Sequence, residues 1–242
     1  MYTEFANVYD RLMREVDEEA WAARYARMLG KPPLRVTECA CGTGAVAIPL
    51  AETGYQMTGT DLSGEMLAVA MEKAAAKGVR IPFVQQDMRR LRVTRPQDAV
   101  MAACDGVNYL TDEKSVLSFF SAAREALKPG GKLLFDISSA YKLENILGNN
   151  TFTLDEEDNA YIWLNRFDEK KRLVRMELTI FTREGKNFRR LRESQVQRAH
   201  TAEELEHWLK ETGFSSVRFS GKKEDRAPAE RDERIFVSAE RL

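Results

Sequence analysis

A short glycine-containing loop is the first place where residue types and spacing suggest chemistry. Gly42-Thr43-Gly44 follows an apolar strand-like stretch and precedes a helical one. Glycines at these two positions allow a sharp turn and a close approach of the backbone to a ligand. The helix start behind them offers unpaired N–H groups and the positive end of a dipole. The loop alone also fits an enzyme that binds a dinucleotide.

Three carboxylates at successive strand ends narrow that choice. Glu38 lies just before the glycine loop, and Asp61 and Asp87 end the second and third predicted strands. Asp61 can accept both hydroxyls of a ribose, and Asp87 can accept from an adenine amino group while Met88 packs on the ring. Glu38 is unfavourable beside a pyrophosphate but can assist an ammonium group such as that of S-adenosyl-L-methionine (SAM). Each acid alone is equally well explained as a solvated strand end, whereas the ordered series of three favours a binding site.

An alternation of strand and helix patterns positions these residues. Short apolar strands are predicted at 34–40, 56–61, 80–85, 97–104 and 132–137, with helices between them. Ser63 stands where the cap of one of these helices belongs. The alternation implies parallel strands with right-handed crossovers, and therefore an α/β, Rossmann-like, doubly wound sheet.

The pattern changes over residues 151–199, where alternating polar and apolar strands replace helices. Glu184–Asn187 is typical of a hairpin turn, so we expect a small inserted antiparallel β-sheet. Thr201 and Glu204 then form a predicted capping box, and two strands follow at 214–220 and 234–240. The expected division is a cofactor-binding domain, 1–150 and 200–242, with a helical cover at 1–30 and the insertion 151–199 as an acceptor-binding lid.

Composition sets broad limits. The chain has 242 residues, a formal net charge of −1 and three cysteines. A near-neutral charge gives no electrostatic reason for bulk nucleic-acid binding. No apolar run of membrane-spanning length is present. The three cysteines do not form a recognisable disulfide framework, which favours a reducing, cytoplasmic location. Cys39-x-Cys41 lacks a second ligand pair, so we predict no metal site.

Several segments together resemble the class I SAM-dependent methyltransferases. Glu38-x-x-Cys41-Gly42-Thr43-Gly44 is similar to their first motif, and Gly59–Ser63 followed by Met66-Leu67 to their second. Asp87-Met88 resembles the adenine motif, and Leu127–Gly131 the turn before the fifth strand. The opening Phe5–Met13 segment, Cys104–Leu110 and the insertion are similar to the YqeM-like bacterial subgroup.

This resemblance implies SAM as cofactor, S-adenosylhomocysteine as product and a seven-stranded sheet of order 3-2-1-4-5-7-6. It implies a cofactor site with the glycines along the methionine part, Asp61 on the ribose and the adenine between two apolar side chains. The residues implied are Tyr9, Trp21, Glu38, Gly42, Gly44, Asp61, Leu62, Met66, Asp87, Met88 and Cys104. Trp21 is an aromatic residue at helical spacing, and packing in the core explains it as well as contact with the cofactor does.

The methyl acceptor is not identified by these motifs. A base is needed only if the acceptor must lose a proton before attack, and the candidates are Asn108, Tyr109 and His200. His200 is also explained as a surface or capping residue, and His207 as a structural one. Between Trp163 and Ala199 the insertion has eleven basic and five acidic residues. This excess of positive charge fits an anionic acceptor such as RNA or a carboxylated metabolite, but a solvated strand face explains it somewhat better.

We therefore expect a SAM-dependent methyltransferase, with a small-molecule acceptor favoured over RNA or protein. The alternatives are a modified SAM donor on the same fold, a non-catalytic SAM-binding protein and, less favoured, a nicotinamide-dependent oxidoreductase. Glu38 and Asp87 argue against the last of these. The oligomeric state has no signal in the sequence.

Overall fold

Seven strands form one mixed sheet in the computed structural model, which describes residue 6, residues 17–223 and residues 226–242. They are β1 (Arg35–Cys39), β2 (Gln56–Asp61), β3 (Phe83–Gln85), β4 (Gln97–Ala102), β5 (Leu127–Ser138), β10 (Phe214–Ser220) and β11 (Arg234–Arg241). Their order is β3-β2-β1-β4-β5-β11-β10. The first five strands are parallel, and β11 is antiparallel to both of its neighbours. The predicted order 3-2-1-4-5-7-6 is confirmed, since β10 and β11 are the sixth and seventh strands of this sheet.

Between residues 17 and 223, the α-helices that cover or connect these strands are α1 (Glu18–Leu29), α2 (Ala47–Glu52), α3 (Gly64–Ala76), α4 (Glu113–Ala126) and α5 (Ala202–Glu211). The predicted caps of α3 and α5 are confirmed. Ser63 Oγ accepts from the Met66 N–H at 3.2 Å, and Thr201 and Glu204 cap each other's backbone N–H at 3.1 Å. Both caps satisfy N–H groups that a helix start leaves unpaired.

The insertion is a separate four-stranded antiparallel sheet, as predicted. Its strands are β6 (Thr151–Asp155), β7 (Asn159–Asp168), β8 (Leu173–Glu184) and β9 (Asn187–Arg198), in the order β6-β7-β8-β9. Glu184 pairs with Asn187 across the predicted hairpin, where Gly185 has a φ of 64°.

Apolar layers cover both faces of the large sheet. On one face, Phe135 packs with Phe120 and Trp208 from α4 and α5; on the other, Leu134 packs with Tyr25 and Leu50 from α1 and α2. Neighbours on one strand point to opposite faces, so the central strands are buried on both sides, as parallel sheets require. None of the helices within the described ranges is both long and apolar enough to cross a membrane.

Some predicted boundaries were wrong. The helical stretch expected directly after the glycine loop begins only at Ala47, because residues 42–46 form the turn around the glycines. Residues 129–131, expected as a turn, lie within β5, although Gly130 has a φ of 71°. A π-helical segment, Lys142–Leu147, follows β5 and was not predicted from the sequence. Residues 1–16 of the predicted helical cover lie, apart from Ala6, outside the described ranges.

Candidate active site

The glycine loop leaves the end of β1 at the point where strand order reverses between β1 and β4. Ligands of open α/β sheets bind at such a switch point. Gly42 has a φ of 53°, and a Cβ added there would meet no atom within 4 Å, so the space above it is open. Gly44 has a φ of 81°, and a Cβ there would come within 3.0 Å of Ile48. The loop thus needs both glycines, and Gly42 faces open space.

Asp61 braces this loop from the end of β2. Its Oδ2 accepts from the Gly42 N–H at 2.9 Å, and its Oδ1 accepts from the Ser63 N–H at 2.9 Å. A carboxylate has about four lone-pair sites, so Asp61 keeps acceptor capacity for a ligand hydroxyl. Leu62 beside it is 62 % exposed, which is unusual for a large apolar residue and suits an adenine face.

Glu38 is buried at the end of β1, with 2 % of its surface exposed. Its carboxyl accepts from the Ala47 N–H, and its Oε2 has no partner among the described residues. Burial raises its pKa to about 8, with further contributions from the negative charges of Asp136 and Asp61. A cation at this position would favour the ionised form, so Glu38 is suited to an ammonium group.

Asp87 and Met88 follow β3 as predicted, but Asp87 already has a partner. Its carboxylate accepts from the Arg89 backbone N–H at 2.9 Å and from the Arg89 guanidinium at 2.6 to 3.0 Å. The bond from the Arg89 side chain lowers the pKa of Asp87. Met88 is buried, with 8 % exposed. An adenine amino group at Asp87 would therefore share this carboxylate with Arg89.

The turn after β4 is held by a buried aspartate that the sequence analysis did not select. Cys104 and Asp105 have φ values of 54° and 57°, a region that residues other than glycine seldom adopt. Asp136 on β5 accepts from both of their backbone N–H groups, at 2.8 and 3.0 Å, and from the Tyr25 hydroxyl at 2.7 Å. Strain of this kind is typical of functional sites. The available signal was a lone acid within the apolar run Leu133–Ile137.

Arg234 on β11 completes this network. Its guanidinium donates to Asp136 Oδ2 at 2.8 Å and to Asp105 Oδ1 at 2.5 Å. It also lies 5.0 Å from the centre of the Trp21 ring, which packs on Phe236 at 5.4 Å. Trp21 is thus attached to the network by packing and is only partly exposed. Tyr9, the other predicted cover residue, lies outside the described residues.

The three candidate catalytic residues differ sharply. His200, expected at the surface or at a cap, is 0 % exposed and packs edge-on against Trp208; burial lowers its pKa to about 4. It is His207 that lies at the surface, near Glu211. Asn108 is also fully buried, and its amide bonds the backbone of Ser138 and Arg198. Only Tyr109 is exposed, and its hydroxyl donates to Gln195 at 2.8 Å.

The insertion sheet turns one face towards the rest of the chain, here called the inner face. Ile180 and Leu191 on this face pack against Met66 of α3, so Met66 is buried under the insertion instead of lining the open edge. At the other end of β9, Gln197 donates to Asp105 at 2.6 Å. The opposite, outer face carries exposed basic residues: Arg166, Arg175, Arg183, Arg190 and Arg192.

Comparison with known proteins agrees with this architecture. A family model described as a methyltransferase domain matches residues 36–131. The chain is 36 % identical to the protein of Bacillus subtilis (strain 168) named as the methyltransferase YqeM, over 100 % of this chain and 97 % of that protein. It superposes on a SAM-dependent methyltransferase of Clostridium acetobutylicum with a TM-score of 0.88, at 30 % identity, over 99 % of this chain and 98 % of the other.

A more distant structure, the sugar N-methyltransferase KedS8 of a Streptoalloteichus species, shares the fold at 22 % identity. Its TM-score is 0.75, with 96 % of this chain and 92 % of that chain covered. The full-length match to YqeM and the fold of the Clostridium enzyme agree with the motifs at the strand ends. The chain therefore belongs to the SAM-dependent methyltransferases, in the group that includes YqeM.

Proposed function

We propose that this chain methylates a small molecule held between the carboxyl edge of the large sheet and the inner face of the insertion. The observation that carries the proposal is the pair of hydrogen bonds from Gln197 to Asp105 and from Tyr109 to Gln195. They fasten the insertion over the turn that contains Cys104. Because direct hydrogen bonds hold the insertion close to this turn, the space between them suits a compact acceptor better than a folded macromolecule. KedS8, which shares the fold, is described as acting on a sugar.

The residues at the strand ends fit SAM in the order proposed from the sequence. Gly42 and Gly44 would lie along the methionine part, and Glu38 would face its ammonium group. Asp61 would accept from the ribose hydroxyls, and Leu62 would cover one face of the adenine. When bound, the sulfonium supplies an electrophilic methyl group, so the protein needs chiefly to orient the acceptor and exclude water.

The Asp136 network would keep the methyl-transfer point rigid. By accepting from the N–H groups of Cys104 and Asp105, Asp136 fixes the turn after β4. Asp105 in turn bonds Gln197 of the insertion. The acceptor surface and the cofactor turn would thus keep a constant distance, which in-line displacement requires.

Two finer alternatives differ from this proposal in the donor and in the acceptor. The donor could be a SAM derivative with the same adenosine part, and mass spectrometry of ligand that co-purifies with the protein distinguishes the two. RNA is the less favoured acceptor, since the basic side chains lie largely on the outer face, away from the Cys104 turn.

The three cysteines are free thiols, which supports the expected cytoplasmic location.

The test of the cofactor assignment is the Asp61→Ala variant. We expect its affinity for SAM to fall about a hundredfold, because charge-assisted bonds to the ribose hydroxyls would be lost. Isothermal titration measures this. Glu65→Ala is the matched control, since Glu65 is an acid nearby on α3 whose carboxylate accepts from Ser63 Oγ at 3.1 Å. Unchanged affinity in Asp61→Ala would remove the ribose assignment, and failure of the wild type to bind SAM at millimolar concentration would remove the proposal.

A further inference from the structure

The inner face of the insertion carries buried polar atoms that no other group in the described chain satisfies. They are the indole Nε1 of Trp163, both amide atoms of Asn165 and Oε1 of Glu193. Asn165 is 4 % exposed. Burying such groups without hydrogen bonds costs free energy. Native folds seldom contain them, and each one therefore calls for an explanation such as a ligand that completes the bonds.

Strand register sets these groups in two neighbouring rows across β7, β8 and β9: Trp163–Leu178–Glu193 and Asn165–Met176–Gln195. The outer strands of each row are two strand spacings apart, about 10 Å. Polar side chains therefore stand on both sides of the partly buried Leu178, whereas Met176 is 4 % exposed and packs with Leu143 and Leu147 of the π-helical segment. This shape suits a small molecule with an apolar face and a polar edge.

Contacts on either side fix the place of Glu193 along β9. Leu191, two residues earlier, packs against Met66 at the start of α3. Gln195, two residues later, accepts from Tyr109, and Gln197 bonds Asp105 beside Cys104. Glu193 thus lies between the α3 attachment and the Cys104 turn. This interval covers the region in which the methyl group would be offered.

The chemistry of Glu193 limits what can bind there. An ionised carboxylate only accepts hydrogen bonds, so it attracts amines and hydroxyls and repels carboxylates and phosphates. Burial raises the pKa of Glu193, which makes its carboxylate a better proton acceptor near neutral pH. The nearest basic neighbour on β9, Arg192, points to the outer face because adjacent strand residues alternate.

We propose that Glu193 binds the nucleophilic amine or hydroxyl of the methyl acceptor, with Leu178 beneath its apolar face and Trp163 and Asn165 bonding its far edge. This inference rests on the proposed function. The acceptor's lone pair forms a bond to the methyl carbon as the carbon–sulfur bond breaks, and sulfur keeps that electron pair. The product is S-adenosylhomocysteine, and the proton released by the acceptor moves to the Glu193 carboxylate.

Three probes of matched size test the inference: benzylamine, benzyl alcohol and benzoate. Their affinities for protein loaded with S-adenosylhomocysteine are measured by ligand-observed NMR. We expect the amine and the alcohol to bind and benzoate to be excluded. Glu193→Gln should weaken benzylamine binding about tenfold, because a charge-assisted bond becomes a neutral one. Glu177→Gln is the matched control, since Glu177 is an exposed acid on the outer face of β8.

Three outcomes would overturn the inference. They are benzoate binding as tightly as benzylamine, no binding of benzylamine, and equal benzylamine affinity in wild type and Glu193→Gln. S-adenosylhomocysteine affinity is titrated on the same samples and reports folding of each variant. If the wild type fails to bind S-adenosylhomocysteine, the proposed function fails; if it binds but the probes behave otherwise than stated, only the Glu193 site fails.

Discussion

The turn after β4, at the carboxyl edge of the large sheet, and the two rows that contain Trp163 and Asn165, on the inner face of the insertion, treat buried polar groups in opposite ways. At the edge, Asp136 accepts from two backbone N–H groups, a tyrosine hydroxyl and Arg234. On the inner face, Asn165 and Glu193 hold buried atoms that lack partners within the described chain. A fully hydrogen-bonded network is rigid before any ligand binds. Polar atoms without partners can instead form hydrogen bonds to a ligand. The difference suggests that the edge serves the shared cofactor and the inner face serves the particular acceptor.

The largest expected effect comes from breaking the satisfied network with Asp136→Ala. Two backbone N–H groups, the Tyr25 hydroxyl and one bond of Arg234 would lose their acceptor inside the protein. We expect the free energy of unfolding to fall by about 3 kcal/mol, measured by urea denaturation. The turn at Cys104 should also loosen, so SAM affinity should fall in the same variant.

Asp98→Ala is the control for this change. Asp98 lies on the same sheet at the opposite end of β4, where it accepts from the Arg35 N–H at 2.7 Å and pairs with Lys128. It is partly exposed, so its loss should cost only about 1 kcal/mol and leave SAM affinity unchanged. Equal costs for the two variants would mean that the edge network has no special rigidity.

The same contrast explains which features the sequence could predict. The insertion and the caps at Ser63 and Thr201 follow from local patterns that the fold obeys, whereas the strand order was implied by the resemblance to the SAM-dependent methyltransferases. The glycine loop and Asp61 were found because their spacing along the chain is fixed by one βα turn. Asp136, Arg234 and Gln197 were missed because they meet only in three dimensions, from β5, β11 and β9.

The histidines show the limit of pattern reading most plainly. His200 precedes a helix cap, a position typical of the surface, yet it packs against Trp208 of α5 and is fully buried. His207 looks structural beside Trp208 in the sequence but lies on the solvent side of the helix. Burial of a single polar residue depends on which elements pack there. No local pattern contains that information.

A smaller effect is expected at Glu38, the one edge acid with an unpartnered atom among described residues. Its pKa of about 8 means that the ligand-free protein holds this carboxyl protonated at neutral pH. Binding an ammonium group favours the ionised form, so SAM affinity should rise with pH until about pH 8, by about tenfold per pH unit at most. Above about pH 8 the ligand's own amine loses its charge, and affinity should fall again.

Glu38→Gln should remove the rising part of this profile and keep the falling part, because the amide does not titrate. Isothermal titration across the pH range measures both limbs, and buffers of different ionisation enthalpy report the proton released on binding. A rising limb that persists in Glu38→Gln would assign it to another group. Asp136 and Asp61 are the acids whose charges act on Glu38, so they would be the next to change.

The smallest effect is expected on the outer face of the insertion, and it decides whether the two faces differ in function. Arg175 and Arg192 are exposed there, and neither forms an ion pair within 4.0 Å in the part of the chain that the structure describes. Replacing both with serine should change SAM and benzylamine affinities by less than about twofold, since exposed charges contribute little and are screened. The same pair would lower affinity for a short RNA in a salt-dependent way if the acceptor were RNA. A loss of more than about fivefold for benzylamine would show that the acceptor reaches around the sheet, and the assignment of recognition to the inner face alone would then be wrong.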